Sequence, residues 1–235
     1  MTEDRANGIF ITGTDTGVGK TRAAAEMIAG LRRYGMSVLP MKPVASGCTN
    51  TANGLRNADA LALIEAAGED AAYDQVNPYA LEPPVAPLIA ANMAGVCISE
   101  AVILQHYAAL AKDCDVMVVE GAGGWRMDLA PDLQMADLVR KLGLQVIMVV
   151  GMRLGCINHA RLTAEAICHD GCRFAGWIAN FLDPGYASPE ASLTLLQQSL
   201  DMPPLMHIPC GKGNTEAQHT EADWAAILAL LQRCN

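Results

Sequence analysis

A glycine-rich segment, residues 13–21 (GTDTGVGKT), has the residue types of a loop that binds phosphate groups. It follows an apolar run and precedes a helical pattern, which is the context that such a loop requires. Backbone N–H groups from Gly17 to Thr21 would point at phosphate oxygens, helped by the positive end of the helix dipole. Lys20 would lie against the β- and γ-phosphates, and the Thr21 hydroxyl would bind Mg²⁺. The first glycine stands one place earlier than the general pattern requires, so we interpret the segment as a variant phosphate loop that binds a nucleotide.

A second lysine, Lys42, opens the segment KPVASG at the end of another apolar run. Pro43 restricts the turn, which would hold Lys42 at the carboxyl edge of a sheet, facing the same crevice as the loop. A second ammonium group beside a triphosphate would stabilise the charge that develops during phosphoryl transfer. The alternative is a solvated lysine whose stem lies on the sheet.

Two carboxylates complete the candidate oxygen ligands of a magnesium ion. Asp59 lies near the start of a helical pattern in GLRNADAL, and Glu120 ends an apolar run before the glycines of EGAGG. An acidic residue at the tip of a strand beside a phosphate loop is well placed to contact Mg²⁺. Asp59 alone could equally be a helix N-terminal charge, so the prediction depends on the set with Thr21.

A further strand-to-helix turn occurs at residues 151–159 (GMRLGCINH). Its backbone N–H groups could hold a substrate carboxylate. Asn158 could instead be only a helix N-cap, and His159 only a residue of the helix terminus.

These residues need a sheet whose strands end at one edge. Short apolar runs alternate with helical patterns, which predicts a mostly parallel, doubly wound α/β sheet with helices on both faces, in one domain over residues 1–235. Residues 48–95 form the least regular connection, around two short helical patterns. Strands are predicted at residues 8–12, 37–41, 116–120, 145–150, 174–179 and 205–208. Helices are predicted at residues 20–34, 99–112, 135–142, 158–169, 189–200 and 221–233.

Composition excludes several function classes. The 235 residues include 16 Lys and Arg against 25 Asp and Glu, a formal net charge of −9. This acidic balance argues against a surface for nucleic acid or anionic membranes. The longest apolar run falls far short of the roughly 20 residues of a membrane span, and the start of the chain lacks the pattern of a signal peptide, so we expect a cytoplasmic protein. The eight cysteines lack zinc-site spacing and are expected to be reduced thiols.

Taken together, seven segments resemble the dethiobiotin synthetase family of the biotin pathway: GTDTGVGKT, KPVASG, GLRNADAL, VNPY, EGAGGW, VVGMRLGCINHA and AGWIAN. They follow the family's order from residue 13 to residue 180, which is most of the chain. EGAGGW and LGCINHA carry the specificity, because the phosphate loop alone does not separate this family from its relatives.

The resemblance implies an ATP- and Mg²⁺-dependent closure of a cyclic urea. In that family, one amine of 7,8-diaminopelargonate takes up CO₂ as a carbamate, and the γ-phosphate of ATP activates it as a carbamic–phosphoric anhydride. The other amine then closes the ring. The family also implies a homodimer that binds the carboxylate of the diamine at its interface.

Carried over residue by residue, the resemblance implies the following roles. Lys42 and Lys20 match the catalytic lysines, with Thr21, Asp59 and Glu120 at the Mg²⁺ positions. The substrate would be bound by Thr16, Ser46, Leu154, Gly155, Cys156 and Asn158. The nucleotide would be bound by Gly17, Val18, Gly19, Lys20, Thr21, Arg22, Asp59, Glu120, Gly121, Ala122, Gly123, Asn180, Phe181, Pro209, Cys210, Gly211 and Glu216.

Three alternatives compete with this interpretation. A cobyrinic acid amide synthase-like ligase would share the loop, but it usually carries a glutaminase domain, for which 235 residues leave no room. A partition or septum-site ATPase would carry a signature lysine where Asp15 stands. A degenerate nucleotide-binding module would not be expected to retain Lys20, Thr21, Asp59 and Glu120. The sequence also departs from some family members at Gly17, where they carry glutamate, and residues 204–235 diverge most.

Overall fold

The computed structural model describes residues 7–68, 71–211 and 220–232. Its strands are β1 (Asn7–Gly13), β2 (Val38–Met41), β3 (Val44–Ala45), β4 (Thr49–Thr51), β5 (Gly54–Arg56), β6 (Tyr79–Ala80), β7 (Val116–Glu120), β8 (Asp128–Ala130), β9 (Leu133–Gln134), β10 (Gln145–Met152), β11 (Arg173–Phe181), β12 (Met206–Ile208) and β13 (Glu221–Ala222). Its helices are α1 (Lys20–Arg33), α2 (Ala58–Ala66), α3 (Tyr73–Val76), α4 (Pro87–Ala94), α5 (Glu100–Leu110), α6 (Met135–Leu142), α7 (Cys156–His169), α8 (Pro189–Leu200) and α9 (Trp224–Gln232).

The main sheet has seven strands in the order β13-β12-β11-β10-β1-β7-β2. All neighbours are parallel except β12 and β13, which pair in opposite directions. This confirms the predicted doubly wound, mostly parallel sheet. Because parallel strands end at one edge, β1, β2 and β7 deliver their following residues to the same place.

Both faces of the sheet are covered by helices, which is why its central strands read as continuous apolar runs. Ile9 and Ile11 of β1 pack in one core with α1, α2 and α9. Phe10 points to the opposite face and packs with α5 and α6. Farther along the sheet, α7 and α8 cover Met148 and Val150 on that second face. No described helix has the length and hydropathy of a membrane span.

The prediction of a helix over residues 221–233 is wrong at its start, because α9 begins at Trp224. Glu221 and Ala222 instead form β13, paired with His207 and Met206 of β12. Asp223 then accepts a hydrogen bond from the Ala226 N–H at 3.0 Å, which caps α9. The chain therefore completes the sheet edge before it turns into the helix.

The connection between residues 48 and 95 contains more structure than the two predicted helical patterns. It holds α2, α3 and α4, together with the hairpin β4–β5. A short parallel pair joins β3 to β6. This connection lies against the carboxyl edge of the sheet, because the Lys42 N–H donates to Val76 O at 2.9 Å.

Candidate functional site

The phosphate loop, residues 13–21, joins β1 to the first turn of α1. Gly17 and Gly19 have φ values of 73° and 89°, in the left-handed region that favours glycine. Gly19 is the N-cap of α1, and a Cβ atom there would lie 2.1 Å from Asn180 Nδ2. Val18 is buried beneath the loop. The free N–H groups at the start of α1 therefore face the carboxyl edge of the sheet, as anion binding requires.

Lys42 lies at the centre of the candidate site and is only 3% exposed, which excludes a solvated lysine. Its Nζ atom donates to Glu120 Oε1 at 2.7 Å, to Asp59 Oδ2 at 3.1 Å and to Gly121 O at 3.3 Å. The Thr21 hydroxyl donates to the same Glu120 oxygen at 3.0 Å. Residues from α1, α2, β7 and the end of β2 thus converge on one point.

The charged groups in this cluster shift one another's pKa values. Burial alone would lower the pKa of Lys42, but the carboxylates of Glu120 and Asp59 raise it above its ordinary value. Burial would raise the pKa of Asp59, yet Lys42 and the Thr21 hydrogen bond bring it below its usual range. Burial and the neighbouring Lys42 lower the pKa of Lys20 to about 8. The Lys20 ammonium donates to Asp15 O at 3.0 Å.

A cavity of about 440 Å³ opens beside the cluster. Eleven of the residues predicted for the site line it, together with Ala45 and Asn57, which the prediction missed. Both lie inside quoted motifs, and Asn57 has the signature of an N-cap before a helix: its Oδ1 accepts from the N–H groups of Asp59 and Ala60. The lining residues are Thr16, Gly17, Gly19, Lys20, Thr21, Lys42, Ala45, Ser46, Asn57, Asp59, Glu120, Ala122 and Gly123.

The residues predicted to bind Mg²⁺ have the chemistry of a hard-cation site. Thr21, Asp59 and Glu120 offer one hydroxyl and two carboxylates, the oxygen ligands that Mg²⁺ prefers. The second carboxylate oxygen of Glu120 is buried without a hydrogen-bond partner, so it retains the capacity to bind a cation. Among residues 7–68, 71–211 and 220–232, no three His, Cys, Asp or Glu side chains group as a metal site. A cation here would depend on the hydroxyl and on further ligands such as phosphate.

The residues predicted for the nucleoside lie at the end of β11 and after β12. Asn180 donates from Nδ2 to Val18 O at 2.8 Å, while its Oδ1 is buried without a partner. The ring of Phe181 stacks on His207. Arg22 donates to Pro209 O at 2.9 Å and to Gly211 O at 3.4 Å, which fixes the turn containing Cys210 against α1. Glu216 lies outside the described residues.

The turn before α7 lies apart from the cavity. Gly155, with φ 93°, is the N-cap of α7, so Asn158 is not the cap but the third helical residue. Leu154 is 90% exposed and Cys156 is buried. Gly155 and Asn158 line a separate surface depression of about 570 Å³ with Leu162. These residues therefore do not line the cavity of their own chain.

One ion pair nevertheless connects this turn to the phosphate loop. Arg153 Nη2 contacts Asp15 Oδ2 at 2.6 Å, with both side chains partly exposed. Asp15 Oδ1 also accepts from the Thr16 N–H at 2.7 Å. The two carboxylate oxygens of Asp15 thus have one partner in the phosphate loop and one in the turn before α7.

Comparison with solved structures shows the fold. The MinC:MinD cell division complex of Aquifex aeolicus matches with a TM-score of 0.54 at 16% identity, over 87% of this chain and 81% of that chain. Chloroplast FtsY of Physcomitrella patens matches with a TM-score of 0.53 at 18% identity, over 97% of this chain and 66% of that chain.

Sequence comparison is more specific. A family model described as an AAA domain matches residues 7–217. The ATP-dependent dethiobiotin synthetase BioD of Xanthomonas oryzae pv. oryzae is 50% identical over 200 residues, which is 85% of this chain and 89% of the relative. The protein of the same name from Pseudomonas aeruginosa is 50% identical over 203 residues, 85% of this chain and 88% of the relative. The chain belongs to the family of ATP-dependent dethiobiotin synthetases.

Proposed function

We propose that the chain, as one domain over residues 1–235, converts 7,8-diaminopelargonate, CO₂ and ATP into dethiobiotin, ADP and phosphate, with Mg²⁺ required. The observation that carries the proposal is the buried Lys42 ammonium, held 2.7 Å from Glu120 and 3.1 Å from Asp59 beside the phosphate loop. The names of the relatives support the use of ATP and dethiobiotin as the product. A requirement for ATP is in keeping with a cytoplasmic enzyme.

The chemistry proceeds in three steps that balance. One amine adds to CO₂ and releases a proton, which gives a carbamate. A carbamate oxygen attacks the γ-phosphorus of ATP, and ADP leaves. The second amine attacks the carbamate carbon and loses a proton, phosphate leaves with the oxygen that came from the carbamate, and the ureido ring closes. No protein nucleophile is needed, because the substrate supplies both amines.

The protein contributes charge and position. Lys20 and the free N–H groups at the start of α1 bind the phosphates, and Lys42 stabilises the negative charge shared by carbamate and γ-phosphate. Thr16 and Ser46 line the cavity where the carbamate would lie. Thr21, Asp59 and Glu120 would hold Mg²⁺, which when bound neutralises phosphate charge.

The nucleotide is assigned to the loop and to the ends of three strands. Gly17, Val18, Gly19, Lys20, Thr21 and Arg22 would contact the phosphates through their backbone. Asn180 has a buried, unpartnered Oδ1 near the loop, which suits recognition of an adenine amino group. The remaining nucleotide contacts are assigned to Gly121, Ala122, Gly123, Phe181, Pro209, Cys210, Gly211 and Glu216.

The diamine's carboxylate is assigned to a partner subunit in a homodimer. Leu154, in the turn before α7, is 90% exposed, and Leu162, on α7, is 57% exposed. Leu154, Gly155, Cys156 and Asn158 lie outside the cavity of their own chain. A second copy covering α7 would bury the leucines and present the helix N-terminus to the substrate.

The decisive experiment is product mass spectrometry on purified protein with diaminopelargonate, bicarbonate, ATP and Mg²⁺, each omitted in turn. We expect the mass of the dehydrated CO₂ adduct only in the full mixture, together with ADP. ADP without that product would contradict the proposal and indicate a ligase for another substrate or a switch ATPase. Absence of ADP from a folded protein would indicate a binding module.

A further inference from the structure

The segment behind Lys42 has no part in the proposed chemistry, although VNPY is one of the motifs of the sequence. Val76 ends α3, and Asn77 follows it. The Lys42 N–H donates to Val76 O at 2.9 Å. Asn77 Nδ2 donates to Lys42 O at 2.7 Å. Both backbone polar groups of Lys42 are therefore held by two consecutive residues of another segment.

Asn77 is linked to a second part of the site through Tyr73. The Tyr73 hydroxyl donates to Asn77 Oδ1 at 2.9 Å and accepts from the Asn57 N–H at 2.7 Å. Asn57 caps α2, the helix that carries Asp59. One tyrosine hydroxyl thus connects the backbone of Lys42 with the first turn of the helix that supplies its carboxylate partner.

The side chains of Asn57, Tyr73 and Asn77 each both donate and accept hydrogen bonds, or provide a hydroxyl that does so. Asn77 is 3% exposed and Asn57 is 7% exposed, so their polar atoms depend on protein partners. Asn57 Nδ2 donates to Ser46 O at 3.4 Å, which connects one more residue of the cavity lining. The Tyr73 ring is fixed from outside by Arg56, whose guanidinium carbon lies 4.1 Å from the ring centroid. We call Asn57, Tyr73 and Asn77 the Asn77 network.

We propose that Asn77 and Tyr73 are positioning residues that set the spacing between the Lys42 ammonium and the Asp59 carboxylate. The inference rests on the proposed function only in so far as Lys42 is catalytic. Asn77 serves here because it both donates to Lys42 O and accepts from Tyr73, a combination that aspartate or leucine lacks. Neither residue lines the cavity, so each acts through the residues that do.

Loss of the network should lower turnover more than substrate binding. The phosphate loop is assigned the phosphates of ATP, whereas the hydrogen bonds of the Asn77 network run to Lys42 and to the start of α2. A displaced Lys42 loses alignment with the reacting atoms, and misalignment of about 1 Å costs up to 10²-fold in rate. We therefore expect a kcat about tenfold lower, with a KM for ATP within about twofold of wild type.

The test compares Tyr73→Phe with the matched control Tyr79→Phe. The Tyr79 hydroxyl also accepts from a backbone N–H, that of Ser99 at 2.9 Å. Tyr79 contacts the Asn77 network through its backbone oxygen, to which Asn77 Nδ2 donates at 3.3 Å and which the substitution leaves in place. Of the two phenylalanine variants, we expect only Tyr73→Phe to have a lower kcat. Asn77→Asp keeps the acceptor for Tyr73 and loses the donor to Lys42 O, and we expect the double variant to be no slower than the slower single variant. Additive losses, or equal losses in both phenylalanine variants, would overturn the proposal.

A second readout needs no substrate. The chain has five lysines, and only the buried, hydrogen-bonded ones retain ammonium protons long enough for side-chain ¹⁵N NMR; Lys42→Met identifies the Lys42 signal. We expect this signal to shift or broaden in Tyr73→Phe and to stay unchanged in Tyr79→Phe. An unchanged signal in Tyr73→Phe would overturn the network. Failure of wild type to make dethiobiotin would instead refute the proposed function and leave this measurement decisive.

Discussion

Lys42 shows how a buried charge can be useful and costly at once. Removing an ammonium group from water carries a penalty of several kcal/mol, which Glu120, Asp59 and the Gly121 carbonyl offset here. The same three acceptors hold the ammonium group in one place. A lysine held in this way is already oriented when an anionic substrate arrives, so little reorganisation remains to be done in the transition state.

Replacing Lys42 by glutamine should abolish most turnover while ATP still binds. We expect kcat to fall by at least about 10²-fold, because groups that stabilise developing charge act mainly on the transition state. Stability should fall by about 3 kcal/mol, since Glu120 is left buried without its cation. Steady-state kinetics, calorimetric ATP binding and urea unfolding measure these effects. Exposed Lys112 supplies the control, Lys112→Gln, and near-normal turnover in Lys42→Gln would remove Lys42 from the mechanism.

The two left-handed glycines of the phosphate loop should differ in their tolerance of a side chain. Alanine at Gly17 meets no atom within 4 Å and suffers only backbone strain, about 1 kcal/mol. Alanine at Gly19 also displaces the Asn180 amide from Val18 O, which should bring its cost to about 2 kcal/mol. Urea unfolding of Gly17→Ala and Gly19→Ala compares them directly. Equal losses in the free energy of unfolding would show that the contact between residue 19 and Asn180 adds nothing to the cost of the substitution.

At the scale of elements, the sequence predicts well those helix and strand bounds that neighbouring residues determine. The bounds of β7, α6 and α8 match the predicted ranges to the residue, because an apolar run or a capping pattern marks each end. The strand β13 was missed because two residues carry no periodicity. Its existence depends on the distant strand β12, with which it pairs.

In the candidate site, too, the residue types could be predicted from the sequence, but the contacts between them could not. Loop glycines, lysines and carboxylates can be recognised from residue type and motif, and the structure places them around one cavity. The three hydrogen bonds of Lys42 could not be predicted, because they require the relative placement of β2, β7 and α2. The roles assigned to the individual residues stay predictions.

The starts of β2 and β7 are joined by a contact that should make stability depend on pH. Asp115 accepts from the Ser37 N–H and hydroxyl, both at 2.8 Å. These backbone and side-chain hydrogen bonds lower the pKa of Asp115 below its usual range. Stabilisation is then fully present above the unfolded pKa of about 3.9 and is lost as the pH falls through the lower folded pKa.

Asp115→Asn should therefore be less stable than wild type at neutral pH, by less than about 1 kcal/mol for this exposed group. The difference should shrink as the pH falls through the lowered folded pKa of Asp115, because below it the carboxyl group is protonated in both states. Urea unfolding across this range measures it, with exposed Asp113→Asn as the control. A constant difference at all pH values would contradict the assignment.

At the scale of the whole molecule, the exposed Leu154, just before α7, and Leu162, on α7, should support a dimer. We expect light scattering to report twice the mass of one chain for the wild type and one chain for Leu154→Asp combined with Leu162→Asp. Leu61→Asp is the control, because Leu61 is 46% exposed on α2, across the sheet from α7. A monomeric wild type, or a dimer that survives the double substitution, would contradict the proposed interface.

The ion pair between Asp15 and Arg153 has a thermodynamic consequence. It links the loop assigned to ATP with the turn assigned to the diamine carboxylate. A ligand that tightens one end alters the free energy of the other, and such linkage is reciprocal: the factor by which ATP changes diamine affinity equals the factor by which the diamine changes ATP affinity. For a partly exposed pair, that factor is limited to about fivefold. We therefore expect any cooperativity between the two substrates that passes through this surface contact to stay within that factor.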